Sequence, residues 1–332
     1  MAAIAEALGD RAAELPLWLG GYRVLGQIGE GGMGRLYRAL DTVNCRMVAL
    51  KTPRANTLAE SASLLREAAT LKRLHHPGIV RLYADGTWDG VPWMAMELLE
   101  GRTLLAEMQA IWDGVERPCA GAGRKWRSRE ISTTPGRVRP ATPASPATPS
   151  APSDARPVAA AGRLRAAASI IVELSTILDH LHGRGLVHRD IKPANVFLRN
   201  GARVTLLDFG LVCRASYARP IGGDHLCVGT MEYAAPEQIV GDAVDARSDV
   251  YSMGCILYEL VTGLRPFDGD SGHEVAQQHL HRAPPAPSTF VSDLSGPIEH
   301  LLLDMLAKNP DHRPDSAGAA GRRLAAAAGL IA

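Results

Sequence analysis

The chain has 332 residues, 46% of them hydrophobic and 21% charged, with a formal net charge of +1. That length accommodates two domains at about 100–200 residues each, and so even a charge balance excludes bulk attraction to nucleic acid or to an anionic membrane. The most apolar stretches, such as 324–332, fall short of the about 18–20 residues that span a bilayer, and Met1-Ala2-Ala3-Ile4-Ala5-Glu6 lacks the basic region of a signal peptide, so a cytoplasmic protein is expected.

Residues 1–21 form an alanine-rich lead-in, with a short helix expected to end near Pro16. From Tyr22 onward the pattern is strand-like. Gly29, Gly31 and Gly34 sit between Val24 and Ile28 on one side and Leu36 and Tyr37 on the other. Glycines at this spacing let backbone N–H groups approach phosphate oxygens with no Cβ in the way. A dinucleotide fold would place a helix after them; here 36–39 continues as strand. Val48-Ala49-Leu50-Lys51 is an apolar strand ending in one lysine. Residues 63–71 carry Leu64, Ala68 and Leu71 on one helical face and Glu67 beside it. Glu60, the other acidic residue of this stretch, precedes the periodic part. Trp93-Met94-Ala95-Met96 closes the strand-rich region.

A second region, from about 163 to 328, is mainly helical, with apolar periodicity over 164–181, 244–264 and 298–306. Between the regions, 113–162 is a biased segment. Its first half carries Arg117, Arg124, Lys125, Arg127, Arg129, Arg137 and Arg139; its second carries Pro140, Pro143, Pro146, Pro149, Pro152 and Pro157 among Ala, Ser and Thr. Such composition buries too little apolar area to offset the entropy of ordering, and disorder is expected. Thr142, Ser145 and Thr148 each precede proline. The five cysteines include no C-x-x-C pair, which argues against a zinc site or a disulfide framework.

The chemistry is concentrated in His188-Arg189-Asp190-Ile191-Lys192-Pro193-Ala194-Asn195 and Asp208-Phe209-Gly210. Asp190 can orient a hydroxyl proton and Lys192 can neutralise charge on a moving phosphoryl group. Asn195 and Asp208 are hard oxygen ligands of the kind Mg²⁺ prefers. These motifs resemble the catalytic loop and metal motif of protein kinases. The others follow in order: the glycine loop, Lys51, Glu67, then Gly229-Thr230-Met231-Glu232-Tyr233-Ala234-Ala235-Pro236-Glu237, Asp249-Val250-Tyr251-Ser252-Met253-Gly254 and Lys308-Asn309-Pro310-Asp311-His312-Arg313-Pro314. The wording is similar to that of bacterial serine/threonine members.

The resemblance implies an α+β fold of two lobes. The small lobe, 22–99, would be an antiparallel sheet with one main helix. The large lobe, 100–328, would be mainly helical and interrupted at 113–162. It implies ATP and Mg²⁺ as cofactors, with Mn²⁺ an alternative. Lys51, held by Glu67, would grip the α- and β-phosphates under the loop of Ile28, Gly29, Gly31 and Gly34. Met96 would be the gatekeeper, and backbone groups of 97–99, Glu97 and Leu99 among them, would meet the adenine edge. Leu36 and Ala49 would pack on one face of that ring and Phe197 on the other; Leu36 replaces a more usual valine. Asn195 and Asp208 would hold the metal, and Thr230 would bridge Asp190 and Lys192. Glu237, Asp249 and Arg313 would be structural, Arg313 pairing with Glu237.

Partners implied are protein substrates with Ser or Thr acceptors, including the chain itself by autophosphorylation, and a homodimer. Nucleic acid is not expected as a partner, nor is a membrane span. Arg189 before Asp190 implies activation by a phosphate between Asp208 and Glu237. The hydroxyls there are Ser216, Tyr217, Thr230 and Tyr233. Asp224 is expected to supply a fixed negative charge instead, with Ser216 the alternative. A pseudokinase would ordinarily have lost Lys51, Asp190 or Asp208. Small-molecule kinases share the core but lack the Ala235-Pro236-Glu237 segment.

Overall fold

The computed structural model describes residues 18–31, 34–55, 57–112, 160–200, 203–215, 217–218 and 231–331. Among these, six strands form one antiparallel sheet: β1 (Trp18–Leu19), β2 (Tyr22–Gly31), β3 (Gly34–Asp41), β4 (Arg46–Thr52), β5 (Leu82–Trp88) and β6 (Val91–Glu97), in the order β1-β2-β3-β4-β6-β5. The sheet thus begins at Trp18, ahead of Tyr22, with Trp18 opposite Arg23.

Side chains alternate across a strand, and β4 separates two cores by this rule. Val48 and Leu50, fully buried, join Tyr37, Ala39 and Ala95 on one face. Ala49 and Lys51 point the other way, with Met96 opposite Ala49 and with Met94 and Leu36 opposite Lys51. Against this second face lies α1 (Leu58–Leu71), through Leu64, Ala68 and Leu71. The helix starts earlier than its apolar periodicity predicts. Thr57 caps it, accepting from the Glu60 N–H at 3.3 Å, while Glu60 reaches back to the Ala55 N–H at 2.6 Å. Glu60 is therefore engaged in the capping turn and not with Lys51; a polar first turn hides a helix start from periodicity.

Residues 98–100 lead from β6 to β7 (Gly101–Thr103), which pairs with β9 (Val196–Arg199), itself paired with β10 (Val204–Leu206). Helix α2 (Leu104–Trp112) follows β7, and α3 (Ala160–His182) delivers the chain through β8 (Leu186–Val187) to the run 188–195. β11 (Cys213–Arg214) pairs with β8, and β12 (Tyr217–Ala218) with β13 (Ala243–Val244). The rest is helical: α4 (Pro236–Val240), α5 (Ala246–Thr262), α6 (Gly272–His281), α7 (Gly296–Met305) and α8 (Ala317–Ala327). α5 is buried along almost its whole length, capped by Asp245 at its start and ended by Gly263 with φ +73°. The apolar stripes of α2, α3, α5, α7 and α8 meet in one core that continues up to α1. The architecture is the α+β, two-lobed one that the resemblance implies. The lobes also touch behind the connection: Leu206 N–H donates to Gly78 O at 2.7 Å and Val80 N–H to Leu206 O at 3.3 Å.

Candidate active site

Between the small sheet and the helical lobe, β4 and α1 place Lys51 and Glu67 face to face. The Lys51 ammonium donates to both Glu67 oxygens, at 2.9 and 2.8 Å, and lies 3.8 Å from Asp208 Oδ1. Glu67 is 3% exposed, so its charge is nearly dry. Burial pushes its carboxyl up to about 6, with Lys51 pulling against it and Asp208 adding to it. Burial works against the Lys51 ammonium as well, but Asp208 and Glu67 outweigh it and raise its pKa.

The run 188–195 is a loop that ends in a single 3-10 turn, Pro193–Asn195, and α5 holds its first residues. Asp249, fully buried, accepts from the His188 N–H at 2.8 Å, the Arg189 N–H at 2.9 Å and His182 Nε2 at 2.8 Å. Burial alone would raise its carboxyl; these donors win and lower it. Arg189 sits at φ +68°, unusual for a non-glycine residue, and is pinned on its far side by Gln238 Nε2 donating to its carbonyl at 2.9 Å. The turn aims Asp190 inward, where its Oδ2 accepts from Lys192 Nζ at 2.8 Å and from Asn195 Nδ2 at 2.9 Å. Asn195 Nδ2 also donates to the Asp190 carbonyl at 2.8 Å, which turns the amide oxygen of Asn195 away from Asp190.

Asp208 also lies in the left-handed region, at φ +59°, and its Oδ1 accepts from the Gly210 N–H at 3.2 Å. Phe209 is buried against the His188 ring, edge-on with centroids 5.1 Å apart. Asn195 and Asp208 offer one amide oxygen and one carboxylate, both hard donors that fit Mg²⁺ when phosphate oxygens and water complete the shell. Among the described residues no group of three or more His, Cys, Asp or Glu could hold a metal ion by itself.

The remaining predicted residues divide by lobe. Ile28, 48% exposed, Gly29 and Gly31 lie on the open end of the β2–β3 hairpin, while Gly34 is buried at φ +132°. Leu36 packs on the core, Ala49 and Met96 are buried cross-strand partners, and Leu99 is half-buried in the connection. Glu97 ends β6, and Phe197, half-buried, lies in β9 opposite Thr103 and Thr205. Thr230, Ser216 and Asp224, with residues 1–17 and 113–159, lie outside the described residues.

Sequence reasoning missed several supporting groups. Gln238, His182 and Ser248 hold the loop or its anchors; Ser248 Oγ donates to Glu237 at 2.6 Å. Tyr233, to which the resemblance gives a structural role, donates to Glu259 at 2.6 Å, while the pairing of Arg265 with Glu232 was missed. Their positions inside or beside the quoted motifs could have flagged Glu232 and Gln238; nothing local marks His182, Ser248 or Arg265. Glu237 and Arg313 form the buried bidentate pair that the resemblance implies, at 2.7 and 2.9 Å.

Residues 160–322 match the protein kinase domain family, and residues 25–218 match the phosphotransferase enzyme family. The second match ends before Ala235-Pro236-Glu237; the first includes it. A protein of Streptomyces coelicolor named as a probable serine/threonine-protein kinase is 36% identical over 319 residues, covering 92% of this chain and 39% of that protein. Serine/threonine-protein kinase PknB of Mycolicibacterium smegmatis is 34% identical over 302 residues, covering 88% of this chain and 41% of its own length, and PknB of Mycobacterium leprae is 33% identical over 297 residues. The chain spans about two fifths of the length of these relatives. The chain belongs to the protein kinase superfamily.

Proposed function

We propose that this chain transfers the γ-phosphoryl group of ATP to serine and threonine hydroxyls of proteins, its own among them. The observation that carries the reading is Lys51 held by both oxygens of Glu67 within 3.8 Å of Asp208. An ammonium so fixed meets phosphate oxygens without reorganising, and most of the catalysis required here is positioning and electrostatics.

In this reading the glycine hairpin covers the triphosphate and Lys51 binds the α- and β-phosphates. The backbone of 97–99 meets the adenine edge below Met96, and Leu36, Ala49 and Phe197 enclose the ring. Asn195 and Asp208 hold Mg²⁺ (Mn²⁺ as the alternative), which supplies charge neutralisation on the phosphates. Asp190 accepts a hydrogen bond from the acceptor hydroxyl and aims its oxygen at the γ-phosphorus. As that P–O bond forms, the bond to the β–γ bridging oxygen breaks and ADP leaves; the hydroxyl proton passes to Asp190. Lys192, already on Asp190 Oδ2, neutralises charge on the transferring group, and Thr230 completes the acceptor side. Among the described residues no helix is long and apolar enough to cross a membrane; a reaction that consumes ATP is placed in the cytoplasm.

The test is incubation with labelled ATP and Mg²⁺ beside Asp208→Asn, with and without a protein acceptor. Label on serine or threonine in the wild type alone is the expected result. Bound nucleotide without label in any acceptor would overturn it. The match to the phosphotransferase enzyme family supports a second reading, a small-molecule hydroxyl as acceptor; label in an added aminoglycoside or choline but in no protein would favour it. A label rate rising with the square of chain concentration would place autophosphorylation between two copies.

A further inference from the structure

Residues 98–100 join the lobes, and one ion pair straddles them. Glu97, the last residue of β6, stands on the near side. Gly101, the first residue of β7, stands on the far side, and its register partner is Arg199 of β9. Arg199 reaches across: Nη1 donates to Glu97 Oε1 at 2.8 Å and Nη2 to Oε2 at 2.7 Å. Its Nε donates to Thr205 Oγ1 at 2.8 Å, and Thr205 is fully buried. The main chain adds two ties, Arg199 N–H to Arg203 O at 2.9 Å and Asn200 N–H to Glu100 O at 3.0 Å.

A guanidinium bonded along its fork and at Nε has one orientation, unlike a flexible surface pair. The side chains are 26% and 29% exposed, so solvent screens the pair only in part. Gly101, at φ +141°, brings the strand so close to Leu198 O that a Cβ there would clash. Both ends of a three-residue connection are thus fastened to β9, one by side chains and one by strand pairing.

We propose that Arg199 is a positioning residue for the nucleotide: acting through the Glu97 carboxylate, it fixes the backbone of 97–99 against which the adenine edge would bond. This deepens the ATP-binding reading and rests on it. Arg199 touches no reacting atom. Its removal leaves the chemistry intact and lets the connection relax, so it acts on nucleotide affinity.

The experiment compares wild type, Arg199→Ala, Arg199→Lys and the exchange Glu97→Arg with Arg199→Glu. ADP binding is titrated calorimetrically, and kcat, KM for ATP and KM for a protein acceptor are measured with Mg²⁺. Loss of a bidentate charged contact is expected to raise the ADP Kd and the ATP KM of Arg199→Ala about five- to tenfold. Its kcat and acceptor KM should stay within about twofold. Lysine, a single point donor, should restore part of the affinity, and the exchanged pair more than either single change. Unchanged ADP binding in Arg199→Ala with a lower melting temperature would make the pair structural only and overturn the proposal, as would a fall in kcat at constant ATP KM. A wild type that binds no adenine nucleotide would overturn the kinase reading itself; tight wild-type binding matched by Arg199→Ala overturns the positioning role alone.

Discussion

Glu67 is the residue on which two opposite demands fall. It must be charged to hold Lys51, and it is nearly dry. Its folded pKa of about 6 lies above the ordinary 4.5. The folded chain therefore binds that proton more tightly than the unfolded one. Its charged form lowers stability above about pH 6, and the loss is relieved as pH falls from 6 toward 4.5. Activity runs the other way, because the ion pair exists only with Glu67 ionised. The kcat/KM for ATP is expected to rise with pH through an acid limb near 6, and Glu67→Gln should lower the plateau and remove that limb. A limb of unchanged position in Glu67→Gln would assign it to another group. Lys51→Met should leave binding measurable but lower kcat about 10²–10³-fold, the usual scale for a fixed electrostatic contact at a transition state.

At the scale of elements, the glycines of the β2–β3 hairpin look alike in sequence and differ in the fold. Gly34 sits at φ +132°, where a Cβ would clash with the Thr52 carbonyl of β4. Gly31 has open space around its Cβ position, and Gly29 would make only an ordinary contact with Leu36 Cβ at 3.9 Å. Gly34→Ala is therefore expected to destabilise the sheet by about 1–3 kcal/mol, and Gly31→Ala by about 0.5 kcal/mol or less. Denaturant unfolding reads both. Equal losses would mean that the hairpin geometry, and not the approach to Thr52, sets the requirement. The helices show the same split between visible and hidden signals. Asp245 before α5 and Gly263 after it bound that helix as start and stop residues do. The first turn of α1 is fixed by Thr57 and Glu60, which no apolar stripe reveals.

For the molecule as a whole, charged groups far apart in the chain tie the elements of the helical lobe to one another. Glu237 and Arg313, 7% and 3% exposed, are 76 positions apart and meet in a bidentate pair that also takes Ser248. Removing one partner strands a buried charge, so Arg313→Ala should lower the unfolding free energy by about 3–5 kcal/mol. A loss below about 1 kcal/mol would class the pair with exposed salt bridges. The residues on either side of the proline- and arginine-rich segment also meet: the Arg163 guanidinium lies 5.3 Å from the centre of the Trp112 ring. The composition-based expectation of disorder for 113–162 has a direct test: replacing 113–159 by about six glycine and serine residues should then stabilise the chain by up to about 2 kcal/mol. A clear loss of stability would show that the segment contributes packing.

The groups proposed to do the chemistry were legible because phosphoryl transfer demands particular residue types at short spacings. Asp190, Lys192 and Asn195 lie within one loop, and Asp208 follows soon after. The identity of that loop did not depend on where the rest of the chain went. The resemblance carried by these motifs implied the two-lobed fold and a glutamate partner for Lys51, and the apolar helical face beside Glu67 pointed to which glutamate. Tertiary structure decided what joins these pieces. Nothing near Glu97 signals that Arg199, 102 positions on, closes over the connection. Nothing near Arg189 signals that Gln238 and Asp249 hold its strained backbone from two sides. Sequence records a side chain's chemistry and its near neighbours, while a pair across the fold depends on where the core brings two distant backbones together. For this chain the first carries the chemistry proposed for the site, and the second determined how the residues that would perform it are held still.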